Sequence, residues 1–75
     1  MTPEDLIAKV FGLDPAEVND ESSPDTIEDW DSLGHLGLLT EITEVYHLEL
    51  STDDALEIVD VASLKAILSS RGANW

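Results

Sequence analysis

Apolar residues return at helical spacing in three stretches of this chain, and no segment alternates convincingly enough to predict a strand. In the first stretch Leu6, Ile7, Val10 and Phe11 form one stripe. Thr2 is placed to cap that helix, with Pro3 at its first position, Asp5 completing a capping-box-like pattern and Gly12 as its stop. Asp14 to Val18 reads as a turn or a single helical turn. Residues 19 to 31 form a long connection, for which Ile27 and Trp30 are the expected pins. A second helix is predicted over Ser32 to Tyr46. Laid out at about 100° per residue, Leu36, Leu38, Leu39, Ile42, Val45 and Tyr46 cover one broad half of it. Leu33 falls outside that half, with Gly37, Glu41 and Glu44 on its side. Thr52 is expected to cap a short third helix containing Ala55 and Ile58. Asp60 is expected to cap a fourth, with Val61, Leu64, Ile67 and Leu68 inward and Gly72 past its end. The expectation is an all-α fold: one domain over residues 1–75, a four-helix bundle with three main helices, one short helix and a long first loop.

Charge changes the picture. Seventeen acidic residues face only Lys9, Lys65 and Arg71, for a net charge of −14. Such a chain lacks the basic footprint that nucleic-acid binding needs, and it is repelled by anionic membranes. It suits steering toward basic patches on protein partners. No apolar run reaches membrane-spanning length, and the acidic start Met-Thr-Pro-Glu-Asp is unlike a signal peptide. A cytoplasmic monomer without membrane insertion is expected. The chain has no cysteine, so neither disulfides nor thiolate metal sites hold it together.

The candidate chemistry lies at Asp31-Ser32-Leu33, where an acidic loop gives way to the second helix. A serine there presents its hydroxyl at a helix N-terminus, where backbone N–H groups and the helix dipole favour a phosphate. The Asp31 carboxylate can bind a metal ion. Taken alone, Ser32 reads more readily as a simple helix cap, a role compatible with modification. Leu33 is expected to be an exposed apolar anchor with Glu41 and Glu44 on the same face, the layout of a docking surface. His35, three residues past Ser32, invites a nucleophile–base reading. Its projection toward the core favours instead a partly buried histidine bonded to the preceding loop. His47 is expected at the surface near a helix C-terminus. An EF-hand loop starting at Asp29 would place Leu33 and Thr40 at ligand positions, so no dedicated metal site is predicted; clustered carboxylates still suit weak divalent binding. Trp30 reads as a loop anchor rather than a ligand-stacking ring, and Trp75 as incidental.

These residues resemble the acyl carrier proteins and the wider carrier superfamily that includes peptidyl carriers. The resemblance covers nearly the whole chain. Asp31-Ser32-Leu33 is similar to the family's attachment motif, and Val45-Tyr46-His47-Leu48-Glu49-Leu50 to its exit from the second helix. Asp54-Ala55-Leu56-Glu57-Ile58 and Asp60-Val61-Ala62-Ser63-Leu64 are similar to its short third helix and the start of its fourth. The resemblance implies a non-enzymatic carrier. Ser32 would receive 4'-phosphopantetheine from coenzyme A through a phosphopantetheinyl transferase using Mg²⁺, with Asp31 helping to place the metal. Acyl groups would travel as thioesters, partly enclosed between the helices. Leu33, Glu41, Glu44 and Ile58 would meet partners, the acyl-transferring or acyl-activating enzymes and synthases of a pathway, with Ile58 also bordering the acyl pocket. Gly34 and Gly37 depart from the acidic residues typical of fatty-acid-synthesis carriers. Trp30 and His35 are also atypical. Either the docking face is adapted to a specialised, fatty-acid- or polyketide-type pathway, or these positions have drifted. A peptidyl or aminoacyl carrier is the alternative within the fold. An unmodified acidic adaptor binding a basic protein surface is the alternative outside it.

Overall fold

Every helix begins at a side chain that satisfies its own first turn. The computed structural model describes residues 1–75 as all-α, with α1 Pro3–Phe11, a 3₁₀ turn Pro15–Glu17, α2 Ser32–Tyr46, α3 Thr52–Glu57 and α4 Val61–Ser70. Thr2 caps α1 by accepting from Asp5 N, and only this forward half of the expected box forms. Asp31 caps α2 and Asp60 caps α4, the latter in a reciprocal box with Ser63. The cap of α3 is Ser51, one residue before the expected Thr52, because Ser51 and Asp54 complete a reciprocal box. Ile58 consequently lies just past the helix rather than within it. Gly12, in the left-handed region at φ 68°, ends α1 and turns Leu13 N back onto the Ala8 carbonyl. His47 ends α2 in the same region at φ 55° without being glycine.

The helices share one core. Leu6, Ile7, Leu38, Ile42, Leu64 and Leu68 are fully shielded from solvent, and Phe11, Ile58, Val61 and Ile67 close around them. Leu39, Val45 and Tyr46 pack against its edge, as the projection of α2 implies, but Leu36 does not: it is 61% exposed. Leu36 projects about 60° from Leu33 and about 120° from the centre of the buried stripe, so it belongs to the outer surface.

The long connection is seated by both predicted pins, Ile27 and the nearly inaccessible Trp30. It is also bonded to the far end of the bundle. The carbonyls of Ser22 and Asp20 accept from Val61 N and Ala62 N, two first-turn donors of α4. Lys65 on α4 bridges Glu4 and Asp20 at 2.8 and 2.6 Å, tying α1, the loop and α4 together. Ser22 is buried and accepts from Asn19 N.

Candidate functional site

Asp31 occupies the N-cap of α2 and accepts from Gly34 N through Oδ1 at 2.9 Å. Ser32 is therefore the first helical residue rather than the cap. It is exposed, and its hydroxyl is not used to close the helix end. His35 N bonds the Asp31 carbonyl, and Gly34 N is taken by the Asp31 side chain. The N–H groups of Ser32 and Leu33 stay open to an incoming anion.

The loop arrives so closely that α2 cannot carry a side chain at its third position. A Cβ built on Gly34 would overlap the Asp29 backbone carbonyl oxygen and come within 2.9 Å of Phe11 Cε1. Gly34 is thus required by packing, and neither an adapted docking face nor drift accounts for it. Gly37 faces open space.

Trp30, immediately before the motif, stacks on Phe11 with ring centroids 5.6 Å apart and lies edge to edge with His35, nearly coplanar, with centroids 6.3 Å apart. Its indole Nε1–H donates to His35 Nδ1 at 2.9 Å, and His35 Nε2 lies 2.9 Å from the Ala55 carbonyl. Indole nitrogen can only donate, so Nδ1 is the acceptor and the ring proton sits on Nε2, directed at Ala55 O. Both imidazole nitrogens are occupied. His35 is the loop-bonding histidine the projection favours, not a base for Ser32.

A groove of about 650 Å³ opens beside Ser32 between α2 and the α3 segment. Leu36, Leu39, Ala55, Leu56 and Val59 line it, Ile58 closes its floor, and Asp31, Ser32 and Thr52 stand at its rim. It is a surface trough rather than a chamber inside the bundle.

The residues singled out for docking separate here. Leu33 is 80% exposed, and Glu44 is exposed on the same face. Glu41 is only partly exposed and pairs with Lys9 of α1 at 3.1 Å. Its position about 80° from Leu33 turns it toward the α1 flank. Ile58 is 3% exposed and offers no surface to a partner, so of its two expected roles only lining the groove is compatible with its position. Leu36, Leu56 and Val59 are the exposed apolar residues that the sequence reading missed. For Leu56 a signal existed: on a short helix with Asp54 and Ile58 inward, it falls on the opposite side.

All three basic side chains are committed internally: Lys9 to Glu41, Lys65 to Glu4 and Asp20, and Arg71 to Asp54. The Arg71 guanidinium, followed by the Ser51 backbone N–H, holds the Asp54 carboxyl below the ordinary carboxylate range. The Ser63 backbone N–H and hydroxyl do the same for Asp60. Asp25, Glu28, Asp29 and Asp31, in and just before the motif, have no basic partner. No group of three or more histidine or carboxylate side chains is arranged to hold a metal ion. No helix is long and apolar enough to cross a membrane.

No protein-family model matches the chain, and no curated protein matches it at a significant level.

Proposed function

We propose that this chain is a carrier protein that receives 4'-phosphopantetheine on Ser32 and shuttles acyl groups between the enzymes of a pathway. The observation that carries the reading is an exposed serine hydroxyl at the first position of α2, beside two unpartnered N–H groups and at the rim of an apolar groove. A phosphodiester fits there: its oxygens can accept from the open N–H groups, and no side chain of the protein covers the position. The arm supplies a thiol, which a chain without cysteine cannot.

In the attachment step Ser32 Oγ loses its proton and bonds the coenzyme A phosphorus that bears the pantetheine, and the bond from that phosphorus to the 3',5'-ADP portion breaks. Asp31 keeps one carboxylate oxygen on Gly34 N and has its other available to help place Mg²⁺ during that step. Leu33 and Glu44 meet the transferase and the pathway enzymes, with Leu36 extending the apolar contact around the helix. The apolar lining of the groove favours an acyl over an aminoacyl cargo, since an ammonium group finds little there beyond the Asp31 carboxylate at the rim. Of the two glycines, only Gly37 bears on partner choice.

The test is the intact mass after incubation with coenzyme A, Mg²⁺ and a broad-specificity phosphopantetheinyl transferase. The unaltered chain is expected to gain one phosphopantetheine and Ser32→Ala none. No gain by the unaltered chain while a control carrier is modified argues for the reversible acidic adaptor instead, and gain by both chains would put the attachment at a residue other than Ser32.

A further inference from the structure

One side chain bridges the two walls of the groove. The His35 ring lies edge to edge with Trp30, within 16° of coplanar, and Trp30 stacks on Phe11 with an interplanar angle of 26°, so a series of three rings runs from α1 through the loop to α2. The series ends in the hydrogen bond from His35 Nε2 to the Ala55 carbonyl. That carbonyl is among the last four of α3, which have no acceptor role within their own helix. The Val59 N–H, the donor that would continue the helix onto it, is turned away to Ser63 Oγ.

The attachment of α3 is lopsided. At six residues it is far too short to persist without tertiary support. On the α4 side it is held by the two-pronged bond of Arg71 to Asp54, at 2.7 and 2.8 Å, and by Ile58 in the core. On the α2 side the His35–Ala55 bond is the one hydrogen bond that joins the two helices. Leu56 and Val59, 72% and 57% exposed, line the groove without closing it.

We propose that His35 is a clasp: its bond to Ala55 O draws α3 against α2, and when that bond is released α3 swings about its Asp54–Arg71 side and widens the groove for an apolar chain. That the chain is a carried acyl group rests on the carrier reading; the opening itself does not. His35 is in this sense a positioning residue. It makes no hydrogen bond to the Ser32 hydroxyl.

The experiment uses the full unmodified chain, so its outcome is independent of whether Ser32 accepts an arm. Amide hydrogen exchange is followed by mass spectrometry in α3 and α4, and binding of the neutral fluorophore N-phenyl-1-naphthylamine is measured in parallel. His35→Phe keeps an aromatic ring at the position and loses both hydrogen bonds. It is expected to raise exchange in residues 52–57 by about tenfold, the loss of one hydrogen bond from a local opening, while α4 keeps its protection and the fluorophore binds more tightly. His35→Gln retains an acceptor and a donor on one terminal group and is expected to stay close to the unaltered chain. The unaltered chain should itself show α3 exchanging by a local opening at urea concentrations that leave Val61–Ser70 protected. The proposal is overturned if α3 exchanges only with α4 in global unfolding, if His35→Phe leaves α3 protection unchanged, or if His35→Gln loosens α3 as much as His35→Phe. Because the urea experiment needs no substitution, it can overturn the proposal even where a variant fails to fold.

Discussion

Replacing Gly34 with alanine sets helix propensity against packing. In an open helix position the exchange stabilises by about 1 kcal/mol. At Gly34 the added methyl would overlap the Asp29 carbonyl oxygen, which belongs to the backbone and cannot rotate away, and would press on Phe11. Overpacking of this kind costs about 1–3 kcal/mol, and a clash with backbone lies toward the upper end. The net expectation is a loss of roughly 2 kcal/mol. Gly37, on the same helix and facing open space, is the internal control: Gly37→Ala should gain about 1 kcal/mol. In a domain of this size each kcal/mol moves Tm by about 4–8 °C, so the two variants should be separated by well over 10 °C in opposite directions from the parent. Urea unfolding followed by far-ultraviolet circular dichroism provides the comparison, with an unchanged m value as the check that only stability has moved. If Gly34→Ala stabilised the fold as Gly37→Ala does, the close seating of the loop on the first turn of α2 would be wrong, and with it the account of why Gly34 is glycine.

Stability should rise and then fall as pH is lowered from 7. Protonating unpaired carboxylates first relieves repulsion in a chain of net charge −14. Asp54 and Asp60 have depressed folded-state pKa values, so their contribution is complete above the ordinary carboxylate value near 4 and is lost as pH falls below it. A Tm profile without a maximum between about pH 4 and 6 would contradict this assignment. Because the three cations are already paired, added NaCl should raise Tm at neutral pH by screening, and Mg²⁺ should do so at lower concentration; a Tm indifferent to both would mean the acidic surface carries little repulsion. Asp31→Asn should keep the cap of α2 to within a few tenths of a kcal/mol, whereas Asp31→Ala should cost about 1 kcal/mol. Both should slow modification of Ser32, and an unslowed Asp31→Asn would show that the charge of Asp31 has no part in the reaction.

Much of the fold was legible because its signals are local. The caps at Thr2 and Asp60 bond residues three positions on, so one short window contains both partners, although the same kind of bond at Asp31 went unread. Gly12 announces the end of α1 by its conformational freedom, and the periodicity of α2 separates exposed Leu33 from buried Leu38 and Ile42. The errors fall where a rotation of some tens of degrees decides the outcome. Leu36 was counted with the core and lies outside it, while Glu41 is turned toward the α1 flank and pairs with Lys9.

By itself, then, the sequence determined the helices, the start and end of α1, the start of α4, the two anchors of the loop and the exposure of Ser32 at the head of α2. Only the tertiary structure decided that the Asp29 carbonyl seats on Gly34, that Arg71 grips Asp54 seventeen residues away, that loop carbonyls finish the first turn of α4, and that His35 reaches Ala55 across the groove. The reason is the range of the forces. A cap or an apolar stripe is set by neighbours within one or two helical turns, but a buried polar group must find whichever partner the packed helices bring to it, and no local pattern names that partner.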